Sequence, residues 1–296
     1  MRHKERPAIR TQFIIFNLFG DYVNMRGGAV WTSGLLEVLG VLGVSERAAR
    51  STLSRMKHNG WLESTKIGRR SMYALTEKGK SLLSEGSERL FEPRPAKWDG
   101  CWHLVTYSLP QDKRALRQQF KKRLSWLGYG MLEPGTMIAS IARKERVFAL
   151  IKELKVERYV HFFTRAYLER IDHKEIVSKC WDLETLNKQY AAFIEKHRPN
   201  FSGLQAHYVN EGSLSAEDSF TQRFWATFEY SAFPRQDPNL PGELLPSDWQ
   251  GSEAAEFIST YRDLLRVPSE TYVNKSLGLK PLASNALQSK NGILVR

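Results

Sequence analysis

Ser45-Glu46-Arg47-Ala48-Ala49-Arg50-Ser51-Thr52-Leu53-Ser54-Arg55-Met56-Lys57-His58 reads as a helix with two chemically distinct sides. At 100° per residue, Ala49, Leu53 and Met56 cluster on one side, with Thr52 at its margin. Arg47, Arg50, Ser51, Ser54 and His58 gather on the other, with Arg55 at its edge. Ser45 stands where an N-cap is needed, and Asn59-Gly60 is a stop signal. The first side is apolar enough to pack. The second carries donors of the kind that reach base edges and phosphates. Ala48, Ala49 and Ser51 are small, which lets such a helix seat deeply in a groove about 12 Å wide.

The flanks supply a context for this helix. Upstream, Thr11 to Met25 carries Phe13, Phe16, Leu18, Phe19, Tyr22 and Val23 at helical spacing and ends at Gly27-Gly28. A second helix is predicted from Thr32 or Ser33 to Leu42, with Gly43 as its stop. Downstream, residues 61–67 and 71–75 read as two strands joined at Gly68-Arg69-Arg70, and Thr76 opens another helix to about Phe91. Helix, helix, helix, hairpin is the order of a winged helix-turn-helix. Lys66, Arg69 and Arg70 then fall at the hairpin tip, where cations can lie along a nucleic-acid backbone or enter a minor groove. Arg2, Lys4, Arg6 and Arg10 read as a basic arm. Taken singly, an arginine-rich helix face is most often just solvated, and a Gly-Arg-Arg turn is unspecific. Their conjunction in this order selects double-stranded DNA as the partner, read by Ser45, Arg47, Arg50, Ser51, Ser54, Arg55 and His58 with Lys66, Arg69 and Arg70.

Charge supports the conjunction. The 296 residues hold 44 Lys+Arg against 32 Asp+Glu, a net charge of +12. Residues 1–90 net +7, residues 91–175 net +7 and residues 176–296 net −2, so a polyanion-seeking region belongs to the first two thirds. Hydrophobic residues at 42% suffice for packed cores and exclude wholesale disorder. The unbroken run Phe13-Ile14-Ile15-Phe16 is far short of the roughly 18 apolar residues of a membrane helix. No long apolar core follows the basic start before Asp21, so a secretory signal is not expected. Cys101 and Cys180 are far apart and in no CxxC spacing, which fits a reduced cytoplasm rather than a disulfide framework or a zinc finger.

The expected fold class is α+β in three parts. Residues 1–91 form the winged helix, and residues 92–96 a stiff connector through Pro93 and Pro95. Residues 97–171 run β-α-β-β-α-β: Trp102 to Tyr107, a basic helix capped by Asp112, short strands around Pro134-Gly135, Lys144 to Lys155, then Tyr159 to Thr164. That order suggests a ferredoxin-like domain with a structural or dimerisation role. Residues 172–273 are helical, clearest at 181–196, 216–231 and 252–265, and residues 274–296 read as a loosely held tail.

Catalytic signatures are missing. The seven histidines form no HExxH or other metal-ligand spacing, and neither a Walker-type glycine loop nor GxSxG occurs. Cys101 and His103 fall two apart on a strand, a spacing that core or boundary packing explains better than a nucleophile pair. No enzyme activity, cofactor or metal is expected.

The chain resembles the PaaX-type family of bacterial phenylacetate-degradation repressors. The resemblance rests on Leu18 to Val23 with Arg26 to Trp31, Leu42 to Arg50, Gly60-Trp61-Leu62, Gly68 to Ser71, Tyr73 to Thr76, and Trp98-Asp99-Gly100-Cys101-Trp102. It is most specific in Asp237-Pro238-Asn239-Leu240-Pro241 through Leu244 to Gly251. It implies a homodimeric transcriptional repressor that leaves its operator on binding an aryl-acyl-coenzyme A such as phenylacetyl-CoA. A CoA thioester needs cations for phosphates and an apolar pocket for the acyl group. In the C-terminal part Arg223, Arg235 and Arg262, with Trp225 and Trp249, are the residues expected to supply them, although aromatic sets of this kind are more often plain core. The middle domain is also similar to the small ferredoxin-like CRISPR-adaptation nuclease. Ser108 falls where that family carries a metal-binding aspartate, and a hydroxyl is a poor anchor for Mg²⁺. A metal-dependent nuclease is therefore the second reading, behind a DNA-binding repressor.

Overall fold

The computed structural model describes residues 11–90, 92–95, 97–169, 172–212 and 214–280. The chain is a mixed helix-and-sheet protein that packs as two compact units. One unit draws on Met1–Phe91, Glu195–Ser231 and Ala255–Arg296, the other on Glu92–Ile194 and Ala232–Ala254. This spatial grouping cuts across the linear segments expected from sequence, because the C-terminal helices are shared out between the two.

In the first unit, α1 (Thr11–Leu18) continues through a π-helical turn, Phe19–Val23, and a single 3₁₀ turn. Then come β1 (Ala29–Trp31), α2 (Thr32–Val41), α3 (Glu46–His58), β2 (Leu62–Ile67), β3 (Arg70–Leu75) and α4 (Glu77–Leu90). α2 stops at Gly43, whose φ of +85° lets Val44 N–H turn back onto the Leu39 carbonyl at 2.9 Å. β1 escapes the sequence pattern because it is only three residues long. It pairs with β3, Val30 opposite Tyr73, to give a three-stranded antiparallel sheet in the order β1-β3-β2. Thr76 caps α4, accepting from Gly79 N–H at 3.1 Å.

From the C-terminal part this unit takes residues 195–211 of α8 (Leu183–Glu211), α9 (Ala216–Tyr230), most of α10 (Gly251–Leu264) and α11 (Arg266–Leu277). One hydrophobic cluster joins Ile15, Phe19, Leu35, Leu39, Leu53 and Met56 to Phe220, Phe224, Trp225, Val273 and Leu277. Of the predicted tail, residues 274–277 complete α11, and residues 281–296 lie outside the described residues.

In the second unit, β4 (Trp102–Tyr107), α5 (Arg114–Trp126), β5 (Gly130–Glu133), β6 (Thr136–Ala139), α6 (Lys144–Leu154) and β7 (Val160–Ala166) form an antiparallel sheet in the order β5-β6-β4-β7. Its core holds Val105, Phe120, Leu124, Met137, Val147 and Leu150. Asp112 does not cap α5: it lies within a 3₁₀ turn, Gln111–Lys113, and the helix starts after Lys113 without a side-chain cap. α7 (His173–Cys180) and the first turns of α8 complete the unit with the loop that carries Asp237-Pro238-Asn239-Leu240-Pro241. That loop is a lock. Asp237 accepts from Arg94 at 2.8 Å, Tyr190 OH at 2.9 Å and Asn239 N–H at 2.7 Å, and Arg94 also donates to the Leu240 carbonyl.

Candidate nucleic-acid interface

α3 is built so that one side must be buried and the other cannot be. Ser45 caps it, its Oγ accepting from Ala48 N–H at 3.3 Å. Glu46 in the first turn, with Arg55, Lys57 and His58 in the last, complements the helix dipole. Ala49, Thr52, Leu53 and Met56 are buried in the cluster of the first unit. Arg47, Arg50, Ser51, Ser54, Arg55 and His58 are all exposed, as is the cap Ser45. The side chains placed most directly opposite the buried side are Arg47, Ser51, Ser54 and His58, one stripe along the helix.

The outer residues differ in what holds them. Among the described residues no hydrogen bond or ion pair engages Arg47. Arg50 sits nearer the flank and is held by Glu46, its Nε and Nη2 each 2.8 Å from Oε1. Arg55 reaches back to Thr52 Oγ1 at 3.5 Å. Lys57, which the sequence reading passed over because it falls beside the buried arc, is exposed and donates to Ser64 Oγ of β2 at 2.7 Å. It ties the end of α3 to the hairpin.

The hairpin extends the cationic surface. Lys66, Arg69 and Arg70 are exposed around the turn at Gly68-Arg69, and Ile67 beside them is an exposed aliphatic at the tip. Thr32 Oγ1 donates to the Ser71 carbonyl at 2.8 Å, fixing β3 near the hairpin turn to the start of α2. The basic arm at Arg2, Lys4, Arg6 and Arg10 lies outside the described residues.

The five residues expected to hold an effector come from both compact units. Arg223, Trp225 and Arg262 belong to the first unit, Arg235 and Trp249 to the second. Arg223 is buried and donates to Tyr22 OH at 2.7 Å and to the Arg262 carbonyl at 3.2 Å, while Arg262 pairs with Asp21 at 3.2 Å. Trp225 packs in the shared core, against Phe224 and Phe228. Arg235 lies over Trp126, and Trp249 lies edge-on to Tyr190 beneath Arg94. In the second unit a groove of about 580 Å³ runs between α7, the start of α8 and residues 244–248. Its lining combines the apolar Val177, Leu183, Leu244 and Leu245 with Lys174 and Lys179 and with Asp182, Glu184 and Asp248, a mixed-charge surface.

Ser108 and Asp112 are both exposed after β4, and among the described residues no group of three His, Cys, Asp or Glu side chains is placed to hold a metal ion. His103 accepts from Arg165 N–H at 3.4 Å, and burial pushes its pKa down. Cys101 Sγ donates to the Asp99 carbonyl. No helix among the described residues is long and apolar enough to cross a membrane.

Known proteins share this organisation. Residues 10–79 match the family described as PaaX-like protein, residues 95–177 the PaaX protein central Cas2-like domain, and residues 181–275 the PaaX-like protein C-terminal domain. The transcriptional repressor PaaX of Escherichia coli (strain K12) is 34% identical over 253 residues, covering 84% of this chain and 78% of that protein. An uncharacterized protein of Mycobacterium tuberculosis, Rv0674, shares the fold with a TM-score of 0.54 at 18% identity, over 87% of this chain and 99% of the other. Fold and relatives together define a transcriptional regulator. More narrowly, the chain belongs to the PaaX family of transcriptional repressors.

Proposed function

We propose that this chain is a sequence-specific, double-stranded-DNA-binding repressor of an aromatic-acid catabolic pathway. α2, α3 and the β2–β3 hairpin act as a winged helix-turn-helix, with α3 in the major groove and the hairpin on the backbone. The carrying observation is the face of α3: Arg47, Ser51, Ser54 and His58 point away from a fully buried opposite side, flanked by Arg50, Arg55 and the hairpin cations. A surface of guanidinium and hydroxyl donors with a packed back is what direct readout needs. The protein works in the cytoplasm as a homodimer, with the ferredoxin-like sheet unit serving structure or dimerisation, so its operator carries two half-sites about one helical turn, or a multiple, apart. An aryl-acyl-CoA such as phenylacetyl-CoA lowers operator affinity by favouring a DNA-incompetent arrangement.

Fluorescence anisotropy with labelled duplexes from upstream of the genes that neighbour this one tests this reading. Arg47→Ala is expected to cost about 1–3 kcal/mol of specific affinity. Arg69→Ala is expected to weaken specific and random duplexes alike and to flatten the salt slope by about 0.9. Equal losses on both duplexes for Arg47→Ala would reduce that residue to a phosphate contact. Cleavage of the duplex in Mg²⁺ or Mn²⁺, without retardation, would replace repression by nuclease action. Titration with phenylacetyl-CoA should release the operator; an unchanged affinity removes the effector and leaves DNA binding standing.

A further inference from the structure

The interior of the first unit holds charges that operator recognition leaves unused. Two guanidiniums, Arg26 and Arg223, are buried and a third, Arg262, is partly buried, beside two carboxylates, Asp21 and Glu270. Asp21 and Tyr22 lie on the π-helical turn Phe19–Val23 directly after α1, and Arg26 lies on the 3₁₀ turn that follows. Their partners come from far along the chain: Arg223 on α9, Arg262 on α10 and Glu270 on α11. Arg223 donates to Tyr22 OH at 2.7 Å, Arg262 pairs with Asp21 at 3.2 Å, and Arg26 pairs with Glu270 at 3.2 Å while donating to the Tyr22 carbonyl at 2.8 Å. Tyr22 is gripped by its ring as well, edge-on to Phe220 of α9 with centroids 5.6 Å apart.

Two features make this a poised joint rather than inert packing. The cluster sets guanidiniums against carboxylates with little access to water, and such a cluster holds only while its geometry is good. Burial pushes the Arg262 guanidinium down despite Asp21, and Arg26 Nε finds no hydrogen-bond acceptor within the described residues. The second feature is the backbone at Asp21-Tyr22. Asn24 N–H bonds to the Phe19 carbonyl five residues back, a widened turn that is rare and tends to mark functional sites. α1, which leads into this turn, packs on α3, so a shift at Tyr22 is carried to the face that meets DNA.

Resting on the DNA-binding reading above, we infer that the buried contacts Arg223–Tyr22 and Arg262–Asp21 are the relay by which the C-terminal helices set the attitude of α3, making Arg223 and Tyr22 positioning residues for operator binding. With the relay closed, α3 is held ready for the groove. Ligand-driven movement of α9 or α10 withdraws the guanidiniums and lets α1 and α3 tilt, which needs only a differential affinity of the ligand for the two arrangements.

The test uses the full chain carrying Tyr22→Phe, which deletes the acceptor oxygen and keeps the ring on Phe220, and separately Asp21→Asn. The expected result is a specific operator affinity lowered about tenfold, within the range common for coupled sites, with random-duplex affinity unchanged. Half-release should come at a lower phenylacetyl-CoA concentration, with helicity by circular dichroism as in the wild type. Wild-type operator affinity and wild-type release in both variants would overturn the relay. So would equal losses on operator and random duplex, or a loss of helicity, since these belong to a purely structural role. If the wild type itself fails to retard operator DNA, the DNA reading falls. Hydrogen exchange then decides the joint alone: faster exchange in residues 19–26 and 46–58 of Tyr22→Phe supports it, and unchanged exchange refutes it.

Discussion

Arg47 and Arg223 are the same residue in the same compact unit with opposite fates. Arg47 stands on the outer stripe of α3 in solvent, while Arg223 is buried with its guanidinium on Tyr22 and the Arg262 carbonyl. Burial opposes the charge on Arg223, yet Tyr22 and the nearby carboxylates Asp21 and Glu270 outweigh that and leave its pKa above the ordinary value. A buried cation with that many partners is committed to the fold; a solvated one with no partner is available to a polyanion. The net charge of +12 therefore overstates the charge open to a polyanion, and burial decides which arginines remain on the surface.

The largest effect expected from breaking this division is on the interior side. Phe220 is fully buried between Tyr22 and Tyr272, in the cluster that also holds the inner face of α3. Phe220→Ala is expected to cost about 3–5 kcal/mol, and denaturant unfolding followed by hydrogen exchange should show α3 losing protection with α9. Protection of α3 that survives while α9 opens would mean that the two do not share a core. Gly34 gives a gentler version. A Cβ there would meet the Ser276 carbonyl oxygen at 2.3 Å and Leu277 Cα at 3.1 Å, so α2 and α11 touch backbone to backbone. Gly34→Ala should cost about 1–3 kcal/mol by overpacking, read as a lower urea midpoint; an unchanged midpoint would show that α11 yields freely.

The outer half of the comparison was legible in the sequence and the inner half was not. α3, its Ser45 cap and its two sides follow from a local 3.6-residue period, which needs only neighbours to be visible. The hairpin follows likewise from two β-rich runs around Gly68. The order β-α-β-β-α-β in residues 102–166 could be listed from sequence, whereas the strand pairing is a matter of contact between distant segments. β1 has three residues and exists only because β3 pairs with it. The Arg223–Tyr22 bond spans 201 residues and leaves no periodic trace. Residue type alone shows Arg223 and Arg262 as cations, whereas their bonds to Tyr22 and Asp21 appear only once the distant segments meet.

Glu229 occupies the middle ground, half-buried between Lys196 Nζ at 2.7 Å and His197 Nε2 at 2.9 Å. Burial raises its pKa, but the bonds to His197 and Lys196 prevail and bring it from 4.5 down to about 2. A depressed carboxylate adds stability above its unfolded value and loses it as pH falls toward the folded one. The contribution is therefore complete above about pH 5 and fades between pH 4.5 and 2. Glu229→Gln should be less stable than the wild type at pH 6 by about 1–2 kcal/mol, discounted for partial exposure, with the gap closing by pH 2–3. A gap that stays constant across that range would place the effect in shape rather than charge.

The smallest effect sharpens the comparison on α3 itself. Arg47 has no partner among the described residues, whereas Arg50 must leave Glu46 before it can reach a base. Exposed i,i+4 pairs are worth about 0.3–0.5 kcal/mol, so Glu46 is a weak brake on Arg50 and also a negative charge at the edge of the interface. Glu46→Gln frees the guanidinium and removes the repulsion, and random-duplex affinity should rise about twofold, the equivalent of that pair energy. The same substitution takes a carboxylate from the first turn of the helix, where it favours the dipole by about 0.3–1 kcal/mol, so thermal stability should fall slightly while binding improves. Opposite signs in the two measurements identify Glu46 as a residue that trades helix stability against DNA affinity. A fall in both would mean that Arg50 needs Glu46 to hold its pose for the operator, and Arg50 would then rank with Arg47 as a reader rather than as a cation on the flank.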